Sequence, residues 1–146
     1  MPSHLEIRLV PHAPHQIYGL VADVERYPEF LPWCVGARVR DRSETSLLAD
    51  LAIGIKMIRE RYTSRVHLGD GEIRVEYVDG PFRHLTNHWW FQPAPSGTQV
   101  RFEIDFEFKS RILQTLATGL FTEVVRRMVA AFEARADALY GRGGQG

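Results

Sequence analysis

The sequence predicts an α+β fold in which a curved antiparallel sheet wraps one long C-terminal helix. Hydrophobic residues recur with a period of two, in run after run, between Val35 and Phe108. They then take helical spacing from Ile112 to Leu139. A helix of roughly 28 residues at about 1.5 Å each spans some 40 Å. Its apolar stripe must be covered, and the only large apolar surface elsewhere in the chain is the sheet.

Each element has its own signal. His4 to Val10 alternates Leu5, Ile7 and Leu9 with His4, Glu6 and Arg8, the pattern of a half-buried strand. Pro14 opens a helix at its first turn, where a missing N–H costs nothing, and Ile17, Leu20, Val21 and Val24 form one stripe. In ERYPEFLPWC, residues 25–34, Pro28 and Pro32 allow at most a second, short helical turn. About six strands follow. Ala37 and Val39 oppose Arg38, Arg40 and Arg42; Leu47, Ala49, Leu51, Ile53 and Ile55 alternate with Asp50 and Gly54. Ile58, Tyr62, Val66 and Leu68 oppose Arg59, Arg61, Arg65 and His67. Gly69-Asp70-Gly71 marks a hairpin, Ile73, Val75 and Tyr77 continue the meander, and Asp79-Gly80-Pro81 breaks it. Trp89 and Phe91 share a face of the next strand, and Val100, Phe102, Ile104, Phe106 and Phe108 one face of the last. Ser110 caps the terminal helix, whose expected stripe runs through Ile112, Leu113, Leu116, Leu120, Phe121, Val124, Met128, Phe132 and Leu139. Residues 1–140 therefore read as one domain, and 141–146, GRGGQG, as a disordered tail.

Composition narrows the function. With 146 residues, 45% hydrophobic, the chain can bury a core without staples, and a net charge of zero gives no general attraction to nucleic acid, so no DNA partner is expected. Cys34 is the only cysteine, which excludes an internal disulfide. The N-terminus lacks the pattern of a signal peptide and no run is long enough to span a bilayer, so a cytoplasmic location is expected.

Few residues suggest chemistry. His84 and His88 have the i, i+4 spacing of a helical metal pair, but on a strand that spacing is about 13 Å, too far to share one ion. His12 and His15 have no carboxylate partner nearby in sequence, so no metal is expected. Nothing beside Cys34 would lower its pKa, and it reads as a packed thiol. Glu60 and Ser64 share the inward parity of Ile58, Tyr62 and Val66. A carboxylate there needs a partner, a proton, water, or a bulge that turns it out. Trp90, opposite in parity to Trp89 and Phe91, points outward, either under a loop or toward a membrane interface. The outer arginines are interleaved with Asp50, Glu72 and Glu76, as in ordinary cross-strand pairing.

Four stretches in order, YGLVADVERYPEFLPWC, ERYTSRV, DGPFRHLTNHWWF and EVVRRMVAAFEARADALYG, resemble the coenzyme Q-binding family. These are START-like, polyketide-cyclase-related proteins of the helix-grip fold, and the family also includes bacterial ribosome-association toxins. The resemblance implies a tunnel between the long helix and the sheet that holds a lipid or polyprenyl quinone. By match to the family's motifs, Phe30, Leu31 and Trp33 would close one end. Glu60 and Tyr62, Phe82, and Trp89 and Phe91 would come from the strands, joined by Phe106. The helix would contribute Leu116, Leu120, Phe121, Val124 and Met128. Trp90 departs from the family, which usually has a polar residue there. The implied function is a non-enzymatic ubiquinone carrier supporting respiratory electron transport, with ubiquinone as ligand rather than cofactor and a peripheral contact at the inner membrane. The alternatives are a protein that binds a ribosomal subunit and an aromatase/cyclase-type enzyme.

Overall fold

The structure, a computed structural model that describes residues 3–55 and 57–141, begins with β1 (Ser3–Val10), α1 (Pro14–Ala22) and a 3-10 turn (Val24–Glu29). Six strands follow: β2 (Cys34–Arg40), β3 (Ser46–Ile55), β4 (Ile58–Gly69), β5 (Glu72–Asp79), β6 (Phe82–Ala94) and β7 (Gly97–Phe108). The chain ends on α2 (Arg111–Tyr140). All seven strands form one antiparallel sheet in the order β1-β7-β6-β5-β4-β3-β2, curved around α2 as the helix-grip fold requires. Of the expected tail, residues 142–146 lie outside the described residues.

Local chemistry sets the element ends. Pro14 sits in the first turn of α1, and the Ala13 N–H donates to Gln16 Oε1 at 3.0 Å, satisfying a group the helix leaves open. The β4–β5 hairpin turns through Asp70-Gly71 between the paired residues Gly69 and Glu72, with Gly71 at φ 69°, a conformation that favours glycine. Ser110 Oγ accepts from the Leu113 N–H at 3.2 Å and starts α2.

The face that α2 buries differs from the expected stripe. Ala117, Val125, Met128, Phe132 and Ala136 are buried, whereas Ile112, Leu116 and Leu139 are exposed. Steps of three and four through Ala117, Phe121, Val125, Met128, Phe132 and Ala136 define the contact line. The larger aliphatics at both ends lie off that line. Apolar identity alone does not tell which side of a 30-residue helix a curved sheet touches.

The strand β1 corrects the reading more sharply. Its alternation is present but its sense is inverted: Leu5, Ile7 and Leu9 are 52%, 54% and 68% exposed. His4, Glu6 and Arg8 point toward α2 instead. Arg8 bridges Glu6 (3.1 Å) and Glu133 of α2 (2.9 Å), His4 meets Glu6 at 2.8 Å, and the His4 ring packs edge-on against Phe121. A charged lining between strand and helix is tolerable because every charge in it has a partner.

His12 also has the carboxylate partner that the local sequence does not offer. It is 2% exposed, and its Nε2 lies 2.9 Å from Asp137 Oδ1, 125 residues away on the last turns of α2. Trp90 stacks on His88 with ring centroids 3.7 Å apart, and the Arg101 guanidinium lies 5.0 Å from its ring centroid. Its own strand and the neighbouring β7, not a loop, hold this outward indole.

On the outer face Asp50 accepts from Arg40 Nε (2.8 Å) and Nη2 (3.2 Å) and from Thr63 Oγ1 (2.6 Å). Arg40 first, then Thr63, hold its carboxyl down at about 2. A depressed folded pKa stabilises above the unfolded value and loses that contribution as pH falls through the folded one. Asp50→Ala is therefore expected to lower stability by about 1 kcal/mol at pH 7, discounted for solvent screening. The difference from the parent should fade from about pH 4 downward and vanish below about pH 2. Urea unfolding of both proteins across that range tests it, and a difference that persists at the acid end would refute the ion-pair account.

Candidate ligand-binding cavity

Between the concave face of the sheet and α2 lies a cavity of about 190 Å³. Strand parity builds its floor: Ala49 and Leu51 of β3, Tyr62, Ser64 and Val66 of β4, Ile73 of β5, Asn87 and Trp89 of β6, and Phe102 and Phe106 of β7. The helix supplies the roof through Leu120, Phe121, Val124, Met128 and Phe132. The proline-bounded segment contributes Leu31 and Trp33 at one end, and Phe82 lies toward the other with Ile55, Ile58 and Ala117.

Four expected residues stand outside the lining. Phe30 caps the 3-10 turn and packs on Phe132 (5.2 Å between ring centroids), with the Arg135 guanidinium over the Phe30 ring, 5.1 Å from its centroid. Phe91 is buried one layer away, stacked on Trp89 and edge-on to Tyr18. Leu116 is exposed beside the buried Ala117. Glu60 has the inward parity and pairs with Ile53, but it is half-buried near the start of β4, where a long side chain still reaches water. Motif matching missed many of the lining residues, among them Asn87 and Phe132. Asn87 shares the parity of Trp89, and Phe132 belongs to the helical stripe, so the signal for both was present.

No Asp, Glu, Lys, Arg or His among the described residues lines the cavity. Its polar groups are few and neutral. Asn87 is already engaged: its Nδ2 donates to the Glu103 carbonyl (2.8 Å), and its Oδ1 accepts from Trp89 Nε1 (3.0 Å). Ser64 Oγ, in a residue 1% exposed, and the buried Trp33 Nε1 have no hydrogen-bond partner. Burial pushes the Tyr62 phenol pKa well up, so it remains a neutral donor at any physiological pH. Burial likewise raises the Cys34 thiol, in keeping with a packed side chain.

These features select a ligand type. A buried donor without an acceptor costs about 1–3 kcal/mol, so a guest with carbonyl or ether oxygens gains where a pure hydrocarbon does not. An apolar cavity of about 150 Å³ holds one benzene-sized ring, so 190 Å³ accommodates a single ring and not a long tail beside it.

Sheet, gripping helix and the apolar cavity between them define a helix-grip protein of the START-like class. The sequence comparisons agree. Residues 10–133 match the model of the family described as polyketide cyclase / dehydrase and lipid transport, and the chain belongs to that family. It is 36% identical to a ribosome association toxin RatA of Rickettsia prowazekii, with 93% of this chain and 97% of that one aligned. It is also 36% identical to the mitochondrial coenzyme Q-binding protein COQ10 homolog B of Xenopus laevis, where 96% of this chain covers 60% of the relative. Among solved structures, an 18 kDa protein from Caulobacter crescentus superposes with a TM-score of 0.80 at 35% identity, covering 97% of this chain and 99% of the other. The Zhui aromatase/cyclase from Streptomyces superposes at 0.82 with 14% identity over 93% of each chain, a likeness of fold alone.

Proposed function

We propose that the protein binds an isoprenoid quinone of the ubiquinone type in this cavity and carries or presents it to membrane partners that use it in electron transport. The observation that carries the reading is the pairing of an uncharged apolar cavity with two donors that have no partner, Ser64 Oγ and Trp33 Nε1. Tyr62 and Ser64 lie two residues apart on one face of β4, roughly 7 Å, a spacing that a ring with carbonyls at opposite sides can bridge. Glu60, outside the lining, takes no part in holding the ring. The tail leaves the ring-sized space toward the end lined by Ile55, Ile58 and Ala117. Exposed Met57, Ile112 and Leu116 lie next along the chain there, so a membrane can receive it at that end. Among the described residues no helix is long and apolar enough to cross a membrane, so this contact would be peripheral.

The lining supports binding over turnover: its titratable groups include Tyr27 and Tyr62, phenols held protonated by burial, and neither serves as a general base.

The test is direct. Protein purified from its host is extracted with organic solvent and the extract analysed by mass spectrometry, and stripped protein is titrated with a short-tail ubiquinone while tryptophan fluorescence is followed. Trp33 and Trp89 line the cavity, so saturable quenching is expected. Ser64→Ala should weaken binding about ten-fold, the loss of one neutral hydrogen bond. It should also raise the stability of the empty protein by about 1 kcal/mol, because an unpaired buried hydroxyl is removed. Glu60→Gln should leave affinity unchanged. An empty extract together with no saturable quenching would sink the proposal.

A second reading, association with the ribosome, is supported by the relatives whose names state it, among them one aligned over 97% of its length. Salt-sensitive co-sedimentation of the quinone-free protein with isolated subunits would favour it.

A further inference from the structure

The two edges of the sheet are unlike each other. At β2 the edge is blunted: its register shifts between Cys34 and Gly36, Arg38 and Arg40 point outward, and the 3-10 turn packs against it. At β1 none of these devices is present. The strand pairs residue for residue with β7 from Ser3 to Val10, without a bulge or an internal proline, and has no second strand neighbour. Its outward side chains are Ser3, Leu5, Ile7 and Leu9, and the three apolar ones are all more than half exposed. A long, regular, apolar edge strand is a template for pairing with another strand.

The sequence of that edge is complementary to itself. Antiparallel pairing of two copies of LEIRL about Ile7 sets Ile7 opposite Ile7 and Leu5 opposite Leu9 on the outer face. On the inner face Glu6 of each copy meets Arg8 of the other. Arg8 already touches Glu6 and Glu133 of its own chain, yet its side chain is 39% exposed and its fork has five N–H donors to share. Shifting the pairing centre by one residue, to Glu6 or Arg8, would place like charges opposite each other, which is unfavourable.

We propose that the protein forms a two-fold dimer in which β1 pairs antiparallel with β1 of a second copy, centred on Ile7, so that two seven-stranded sheets join as one. The proposal does not depend on the identity of the ligand. A symmetric pairing uses the same patch on both copies and closes on itself, so it consumes the edge without leaving one open for further growth. The apolar ladder Leu5–Leu9, Ile7–Ile7 and Leu9–Leu5 removes from water the side chains that the fold leaves exposed, and the two Glu6–Arg8 pairs fix the register.

Sedimentation velocity of the full chain over a range of concentrations is expected to show a monomer–dimer equilibrium. Ile7→Lys, which opposes two ammonium groups on the axis, should weaken association at least about ten-fold, with an unchanged circular dichroism spectrum because the side chain leaves no core. Register is read by cross-linking, since the one native cysteine, Cys34, is buried. Under mild oxidation Ile7→Cys should give a disulfide-linked dimer and Leu5→Cys should not, whereas Leu5→Cys combined with Leu9→Cys should. A protein that is monomeric at every concentration overturns the proposal, as does a dimer indifferent to Ile7→Lys. A monomer that floats with phosphatidylcholine/phosphatidylglycerol vesicles, and loses that with Ile7→Lys, would assign the strip to a lipid surface and overturn it equally.

Discussion

Gly97→Ala is expected to remove most of the protein's stability, more than about 4 kcal/mol from a total of the order of 5–15 kcal/mol. Gly97 opens β7 at φ 151°, a conformation that L side chains rarely adopt. A Cβ there would lie 2.0 Å from the Val10 carbonyl oxygen and 3.0 Å from both His12 N and Pro11 Cα, all backbone atoms. They cannot move aside cheaply. Val10 is paired with Thr98, and the fully buried Thr98 donates from Oγ1 to the His12 carbonyl at 2.6 Å. His12 in turn is tied to Asp137, so the corner between β1 and α1 is held against β7 and the end of α2 together. Displacing it loosens three elements at once. Gly119→Ala is the control: in α2, with nothing within 4 Å of the added methyl, it should stabilise by about 0.5–1 kcal/mol. Urea midpoints of the two variants should therefore move in opposite directions, and an unmoved midpoint for Gly97→Ala would contradict the packing described.

That corner also shows where sequence reasoning stops. The strands, the proline-opened helix, the proline-limited turn and the long helix were legible because their signals are local: period, caps and breakers. Strands β2 to β7 pair in chain order, but the placing of β1 beside β7 has no local signal. Which way a strand faces is not local. In β1 the alternation was plain, but the polar row turns inward because Glu133 and Phe121, more than a hundred residues on, meet Arg8 and His4 there. The His12–Asp137 contact has the same origin. On α2 the small residues Ala117 and Ala136 mark the approach of the sheet, and an alanine carries little weight in a search for apolar stripes.

The cavity was legible only in part, for a different reason. A packed core and a lined cavity produce the same inward pattern, so motif resemblance had to suggest the space, and geometry then sorted the candidates. Leu31, Trp33, Tyr62 and Trp89 line it, whereas Phe30 and Phe91 belong to the packing around it. Of the two polar residues with inward parity on β4, the short Ser64 stays inside with its hydroxyl unpaired, and the longer Glu60 is only half-buried. Side-chain length and distance from the strand end decide this, and parity contains neither.

Ala49→Phe is expected to abolish quinone binding, by at least about a hundred-fold or 2.7 kcal/mol, while leaving the fold nearly as stable as before. Ala49 is 1% exposed in the middle of β3, paired with Ser64 on β4 and Val39 on β2, and it lines the cavity. A phenyl ring grown from it enters the space beside Ser64 that the quinone ring is proposed to occupy. Overpacking a filled core costs about 1–3 kcal/mol. Here the 190 Å³ already open exceeds the roughly 150 Å³ cavity that admits benzene, and the new ring gains apolar contacts, so the net change should stay within about 1 kcal/mol. Ala136→Phe separates this from a general intolerance of bulk: Ala136 is fully buried but lines no cavity, so the same substitution should destabilise by about 3 kcal/mol or more. Fluorescence titration with a short-tail ubiquinone and urea unfolding of both variants give the four values needed. If Ala49→Phe binds normally, the ligand sits elsewhere. If it unfolds as readily as Ala136→Phe, the space beneath α2 is filled by packed side chains and cannot receive a ring at all.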